Sequence, residues 1–111
     1  MQITSDKQDQ DLVLRIEGRV DSSNAGEFEQ ALLGSINAGE RRLVLDLGAL
    51  DYVSSAGLRV FLMAAKRLGP VQGRMALFGL QPNVREVFEI SGFTTILTVR
   101  DDLAGARAAL G

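Results

Sequence analysis

The stretch from Leu43 to Val60 reads LVLDLGALDYVSSAGLRV and decides the fold that the sequence predicts. It opens with the apolar run Leu43–Leu47, which has the length and character of a strand buried on both faces. A short turn containing Gly48 and Asp51 follows, and then come two serines and a glycine. After Gly57 the apolar residues recur at the three- and four-residue spacing of a helix. The stretch therefore predicts a strand, a loop and a helix with hydroxyl groups in its first turn.

Ser54 and Ser55 stand where the predicted helix begins. The first turn of a helix leaves backbone N–H groups free and carries the positive end of the helix dipole. Such a turn can accept a serine cap, an anion, or a phosphate carried by a serine. The local sequence by itself favours the cap, which contributes about 1 kcal/mol to stability.

Working outward, strands and helices alternate along the rest of the chain. Two strands with a polar stretch between them predict an antiparallel hairpin, and a loop follows it. Asn24 and Glu27 have the residue types of a capping box at the start of the first helix. The predicted elements are strands Met1–Ser5 and Asp11–Glu17, a loop over Gly18–Ser23, a helix from Asn24, strand Leu43–Leu47, helix Ser55–Leu68, strand Arg74–Gly79, a helix from Gln81-Pro82 to Gly92, strand Thr94–Val99 and a helix opening at Asp101-Asp102. This order predicts an α/β fold with a mixed, mostly parallel sheet covered by about four helices.

Composition and charge limit the functions that this chain can have. The 111 residues are 46% hydrophobic and carry a formal net charge of −2, so we predict one globular domain over residues 1–111. A sequence pI near 5.0 offers no basic surface for a nucleic acid. No apolar run is long enough to cross a membrane, and the start of the chain has no signal-peptide pattern. We therefore expect a cytoplasmic protein with neither a nucleic-acid nor a membrane partner.

The chain contains no cysteine and no histidine. Disulfides, thiolate catalysis, zinc–thiolate sites and Ser-His-Asp chemistry are therefore excluded. One enzyme hypothesis remains, in which Asp46, Asp51 and Ser55 act together, and it requires these groups to converge in a concave pocket. The sequence favours a protein that is not an enzyme and that holds no metal or cofactor.

Two segments together carry a resemblance to a known family. With Leu45-Asp46-Leu47 before it, Ser54-Ser55-Ala56-Gly57-Leu58 is similar to the strand, loop and Asp-Ser-Ser/Thr-Gly-Leu signature of the STAS domain of bacterial anti-sigma factor antagonists. The segment Gly18-Arg19-Val20-Asp21 resembles a second loop of that family, and the resemblance covers nearly the whole chain. When Gly57 and Leu58 are matched without a gap, the signature Asp falls on Ser54 and its first serine falls on Ser55. The hydroxyl that the family usually phosphorylates falls on Ala56, so the chain departs from the signature at the usual acceptor position.

The resemblance implies a small cytoplasmic switch. In the family, the unphosphorylated protein binds an anti-sigma factor that is also a serine kinase, and phosphorylation of a signature serine breaks the complex. A serine phosphatase is then expected as a further partner. We predict Ser55 as the phosphorylated residue and Ser54 as the second candidate. The alternative is a STAS scaffold or accessory subunit that binds a fixed protein partner without phosphorylation.

The predicted partner-binding surface surrounds this serine pair. Its residues are Asp21, Ser22, Asp51, Ser54, Ser55, Ala56, Gly57, Leu58 and Arg59. Asp21 could instead cap the helix that follows it, Asp51 could be solvated and idle, and Arg59 could be a surface residue without a partner. Asp46 lies inside an apolar strand, which favours a paired structural carboxylate. We expect the protein to be a monomer or a weak dimer.

Overall fold

A computed structural model describes residues 1–111 and contains six strands and five α-helices. In chain order the elements are β1 (Gln2–Gln8), β2 (Asp11–Val20), α1 (Ala25–Asn37), β3 (Arg42–Asp46), β4 (Leu50–Val53), α2 (Ser55–Leu68), a 3₁₀ turn (Gly69–Val71), β5 (Arg74–Phe78), α3 (Pro82–Ile90), α4 (Phe93–Ile96), β6 (Thr98–Arg100) and α5 (Leu103–Ala109). The predicted α/β class is confirmed. None of the helices combines the length and apolar character that a bilayer crossing requires.

The sheet has the strand order β1-β2-β3-β5-β6, and β4 pairs with β2 outside this path. Only the β1–β2 hairpin is antiparallel, and all the other pairs are parallel, as the sequence predicts. On the edge away from β1, β2 pairs with two different strands along its length. Leu12–Arg15 pairs with β3, and Gly18–Val20 pairs with β4. The register shifts between Gly18 and Arg19, where Gly18 adopts φ +90°. This irregularity bends the end of β2 away from β3 and towards β4.

The alternation of side chains along β3 divides the core between the two faces of the sheet. Leu43 and Leu45 belong to the larger cluster, which α1, α2 and α3 cover, while Val44 belongs to a small cluster beneath α5. A chain of edge-to-face aromatic pairs crosses the larger cluster and joins four helices. Its rings are Phe28, Phe61, Phe88 and Phe93, with centroid separations of 5.0, 5.3 and 6.2 Å.

An ion-pair cluster holds α5 at the end of the sheet where the parallel strands begin. The Asp11 carboxylate, whose side chain is only 6% exposed, accepts hydrogen bonds from Nε of Arg42 at 2.6 Å and from Nε of Arg107 at 2.9 Å. Burial raises the pKa of Asp11, but the hydrogen bonds from Arg107 and Arg42 outweigh it and leave that pKa below its ordinary value. The hydrogen bonds that Arg107 donates to Asp11 and Asp9 raise the pKa of Arg107. The cluster therefore joins β2, β3 and α5.

Three sequence predictions around the end of β2 are wrong. The predicted loop Gly18–Ser23 begins too early, because its first three residues continue β2, and the turn predicted around Asp51 contains β4. The predicted capping box is absent, since Asn24 forms no side-chain bond to the first turn of α1. Its Oδ1 instead accepts from the backbone N–H of Asp21, and its Nδ2 donates to the carbonyl of Arg19, both at 2.9 Å. Asn24 thus stabilises the loop between β2 and α1.

The strand predicted over Thr94–Val99 is also partly wrong. Its first half belongs to the helical turn α4, and β6 starts only at Thr98. Gly92 precedes α4 with φ +76°, a left-handed conformation that redirects the chain after α3. The hydroxyl of Thr95 donates to the Gly92 carbonyl at 2.7 Å, which stabilises the turn despite its β-branched residues.

Candidate functional site

The candidate site lies at the end of the sheet where β2 and β4 finish and α2 begins. Only Ser54 separates β4 from α2, and its backbone N–H donates to the carbonyl of Val20 at 2.9 Å. The first turn of α2 packs directly on both strand ends. A Cβ atom at Gly57 would lie 2.8 Å from Cγ1 of Val20 and 2.9 Å from Cγ2 of Val53. Glycine at this position therefore allows the close approach of helix and strands.

The two serines occupy different environments. Ser54 is half-buried at the N-cap, where its Oγ accepts a hydrogen bond from the backbone N–H of Gly57 at 3.2 Å. Ser55 is the first residue of α2 and is exposed, and its hydroxyl forms no hydrogen bond with the rest of the chain. Ser54 therefore serves the fold, whereas the hydroxyl of Ser55 is free.

Ser55 opens onto a shallow groove of about 290 Å³ between α2 and the turn that joins α3 to α4. The residues that line this groove are Ser55, Leu58, Arg59, Leu62, Ser91 and Phe93. Leu58 is buried and contributes to its floor, while Arg59 is exposed and forms no ion pair. Ile90 and Ile96 are 79% and 60% exposed near the same turn. The site thus combines apolar surface with one unpaired cation.

Asp21 and Ser22 lie in the loop after β2. The carboxylate of Asp21 accepts hydrogen bonds from the hydroxyl of Ser23 at 2.6 Å and from its backbone N–H at 3.0 Å. These bonds lower the pKa of Asp21. The backbone carbonyl of Asp21, not its side chain, accepts from Ala25 at the start of α1. Asp21 therefore orders its own loop, and its neighbour Ser22 is exposed.

The two aspartates that flank the turn between β3 and β4 have structural partners. Asp46 accepts from the backbone N–H of Gly48 at 3.0 Å, which agrees with the structural role that the sequence favours. Asp51 is exposed, with Oδ1 3.4 Å from Nε2 of Gln81, and its carbonyl accepts from Asn83 at 2.7 Å. Asp51 is therefore a link between β4 and the start of α3.

The structure does not bring together the groups that the enzyme hypothesis requires. Ser55 lines the groove, but neither Asp46 nor Asp51 lines any cavity of the molecule. No cluster of three or more carboxylates is placed to hold a metal ion. The groove offers surfaces for contact and contains no pair of groups for general acid–base chemistry.

Several residues at this end of the molecule are not among the predicted site residues. The guanidinium of Arg19 lies 4.3 Å from the ring centroid of Tyr52, which is its partner in the β2–β4 pairing. Leu62 extends the groove along α2 at seven residues from Ser55, a spacing that is visible in the sequence. Ser91 and Phe93 form the opposite wall, and no local pattern in the sequence points to them.

The sheet order and the serine-capped helix define the class of protein. The family model of the STAS domain matches residues 2–106, and the chain therefore belongs to the STAS domain family. Its relatives carry the name anti-sigma factor antagonist. One of them, BtrV of Bordetella bronchiseptica, is 52% identical over 109 residues, which are 98% of this chain and 94% of BtrV.

Solved structures agree with this assignment. A Thermotoga maritima protein described as an anti-sigma factor antagonist matches with a TM-score of 0.92 at 19% identity, over 97% of this chain and 93% of its own. The Bacillus cell fate determinant SpoIIAA in its phosphorylated form matches with a TM-score of 0.70 at 20% identity, over 91% and 93% of the two chains. At these identities the likenesses show a shared fold.

Proposed function

We propose that this chain is a cytoplasmic anti-sigma factor antagonist that works by partner switching. In its unphosphorylated form it binds an anti-sigma factor with serine kinase activity, and phosphorylation of Ser55 releases that partner. A serine phosphatase restores the binding form. The observation that carries the proposal is the free, exposed hydroxyl of Ser55 at the first residue of α2.

The environments of the two serines favour Ser55 over Ser54 as the phosphorylated residue. A kinase must reach the hydroxyl oxygen, and Ser55 is exposed whereas Ser54 is half-buried. The oxygen of Ser54 also accepts the bond from Gly57 that caps α2, so its modification would disturb the helix start. Ser55 can be modified without the loss of any hydrogen bond.

The physical effect of a phosphate on Ser55 falls on binding more than on shape. The phosphate adds roughly −1.5 to −2 charge at neutral pH. The free N–H groups and the dipole at the start of α2 favour that charge, so the fold tolerates it. At the centre of an interface the same dianion must be desolvated or paired, which lowers affinity by orders of magnitude. Phosphorylation would thus act as a switch without a conformational change.

The proposed partner surface has exposed and supporting parts. Among the predicted residues, the exposed side chains are Ser22, Asp51, Ser55 and Arg59. The supporting residues are Asp21, Ser54, Ala56, Gly57 and Leu58, which are buried or half-buried and give the helix start its shape. Contact with the anti-sigma factor would then come from the loop after β2, from β4 and from the first two turns of α2.

Phosphopeptide mapping of the protein from its own host, in growing and in stressed cells, tests the proposal. We expect phosphate on Ser55 alone, with an occupancy that differs between the two conditions. No phosphate in either condition, together with co-purification of one stoichiometric partner, would instead support the fixed scaffold that binds without phosphorylation.

A binding measurement with the purified anti-sigma factor tests the role of the charge. We expect Ser55→Asp to lower affinity at least about 100-fold, because it places a carboxylate in the interface. Ser5→Asp is the matched control, since Ser5 is exposed on β1 and belongs to no part of the proposed surface. Unchanged affinity of a folded Ser55→Asp protein would contradict the proposal.

A further inference from the structure

We infer that Arg59 changes its ionic partner when Ser55 is phosphorylated. It pairs with a carboxylate of the partner while Ser55 is unmodified, and it pairs with the phosphate once Ser55 is phosphorylated. The inference rests on the proposed function in one respect, that Ser55 is the modified residue. It adds that the partner presents a carboxylate to Arg59. It also adds a second way in which the phosphate weakens binding, because the phosphate takes Arg59 from that carboxylate.

The placement of Arg59 on α2 brings it to Ser55. Residues four apart on a helix have Cβ atoms about 5–6 Å apart, and this is the separation of Ser55 and Arg59 in sequence. Helical side chains lean towards the N-terminus, so the long side chain of Arg59 extends over the turn that carries Ser55. Both residues line the same groove. A phosphate on Ser55 would therefore meet the guanidinium, which binds phosphate oxygens in a bidentate fork.

Arg59 is also free to form such a pair. Its side chain is exposed and has no ion pair or hydrogen bond, whereas Arg15, Arg42, Arg85 and Arg107 all contact carboxylates. The neighbouring charges on the elements around the helix start have partners of their own. Asp21 accepts from Ser23, Asp51 lies against Gln81, and Arg19 lies over Tyr52.

The lining of the groove indicates what the partner presents. Leu58, Leu62 and Phe93 provide apolar surface, and Arg59 carries the only charge among the lining residues. A complementary partner offers an apolar side chain with a carboxylate beside it. A phosphate on Ser55 changes the charge of this lining from positive to negative, because it brings roughly −1.5 to −2 charge against one guanidinium. The partner carboxylate then loses its cation and meets a like charge.

The contact between Arg59 and the phosphate can be tested without any partner. Phosphoserine is incorporated at position 55 during translation, and its phosphate is titrated by ³¹P NMR. We expect a second phosphate pKa below the usual value of about 6, and Arg59→Ala should raise it by about 0.5. Arg74→Ala is the control, because Arg74 is exposed at the start of β5 and has no ion pair. An identical phosphate pKa with and without Arg59 would overturn the inference.

The exchange itself is tested by a double-mutant cycle with the purified anti-sigma factor. We expect Arg59→Ala to weaken binding about tenfold and Ser55→Asp to cost several-fold less in the Arg59→Ala background than in the wild type. Strictly multiplicative effects would overturn the exchange. If Ser55→Asp leaves wild-type affinity unchanged while Arg59→Ala still shifts the phosphate pKa, the proposed switch fails and the contact between Arg59 and the phosphate stands.

Discussion

The two ends of the sheet use their polar side chains in opposite ways. Where the parallel strands begin, the carboxylate of Asp11 is buried and bonded by both Arg42 and Arg107. Where the strands finish, Ser55 and Arg59 are exposed and form no bonds with the chain. The charges of the first end are used within the molecule and hold α5 in place. At the second end, Ser55 and Arg59 remain available to another molecule, on a helix start that is closely packed against the ends of β2 and β4.

This difference separates stability from recognition along one sheet. Substitutions at Asp11 should act on the free energy of unfolding, and substitutions at Ser55 should act on binding with little effect on the fold. Ser54 and Gly57 lie at the same end as Ser55, but their contacts stabilise the start of α2. We therefore expect intermediate effects on stability at these two positions. Four substitutions test this separation.

The largest loss of stability is expected for Asp11→Asn. It leaves two arginines without their carboxylate. Because these arginines are about one third exposed, we expect a loss of about 2–3 kcal/mol, at or below the lower limit of the roughly 3–5 kcal/mol for broken buried ion pairs. Urea unfolding monitored by circular dichroism measures it. Asp6→Asn, at an exposed position of β1, should change stability by less than about 0.5 kcal/mol. Equal effects of the two variants would show that the bonds of Asp11 to Arg42 and Arg107 do not stabilise the fold.

The contribution of the Asp11 carboxylate to the free energy of unfolding should decrease at acidic pH. The pKa of Asp11 is lowered in the folded protein, so its contribution to stability is present above its unfolded pKa of about 3.9 and is lost as the pH falls through the lower, folded value. The stability gap between wild type and Asp11→Asn should therefore narrow below about pH 4. Unfolding curves at neutral and at acidic pH provide the measurement, and a constant gap would contradict the prediction.

A smaller loss is expected for Gly57→Ala. The added methyl group would lie under 3.0 Å from the side chains of Val20 and Val53, so the start of α2 must shift at a cost of about 1–2 kcal/mol. Gly34→Ala is the matched control in α1, where a Cβ meets nothing within 4 Å, and it should gain about 0.5–1 kcal/mol from helix propensity. Thermal unfolding of the two variants should therefore shift in opposite directions.

Ser54→Ala should cost about 1 kcal/mol, because it removes the oxygen that caps α2. Ser54→Asp keeps an acceptor at the N-cap and should stay close to the wild type in stability. The difference between these two variants in urea unfolding gives the contribution of the N-cap hydrogen bond to the free energy of unfolding. If both were equally destabilised, the hydroxyl of Ser54 would have a role other than the one that its bond to Gly57 indicates.

The smallest effect on stability is expected for Ser55→Asp, a gain of a few tenths of a kcal/mol from a negative charge at the start of a helix. The same variant is the one expected to lose binding most strongly. Measured side by side, unfolding and binding would show whether this residue acts on recognition alone. A loss of stability above about 1 kcal/mol would place Ser55 with Ser54 as a residue of the fold.

The parts of the fold that depend on local signals could be predicted closely. The bounds of α2 agree with the prediction because the cap at Ser54 and the terminator Gly69-Pro70 are both local. β4 could not be predicted in this way, because it has four residues, two of them exposed, and its partner is the distant end of β2. The error at Asn24 has the same origin, since its side chain bonds to the loop before it and not to the helix after it.

The residues of the candidate site also differ in whether local sequence could identify them. Ser55 and Arg59 could be identified from the sequence because they share one helix with the signature residues. Ser91 and Phe93 could not, because they come from a turn that the fold brings against α2. The strand predicted over Thr94–Val99 also concealed the helical turn to which Phe93 belongs. One wall of the groove is therefore visible in the sequence of α2, whereas the opposite wall depends on tertiary structure.

The pairing of Arg19 with Tyr52 has an optical consequence. The chain has one tyrosine and no tryptophan, so its fluorescence under excitation of tyrosine comes from a single ring. That ring is 39% exposed on the strand that leads into Ser54, with a guanidinium 4.3 Å from its centroid. Light emitted by the unlabelled protein therefore originates at the end of the sheet where α2 begins. A tryptophan of a partner bound at this end would quench the tyrosine emission by energy transfer. Binding could therefore be detected by fluorescence without a dye.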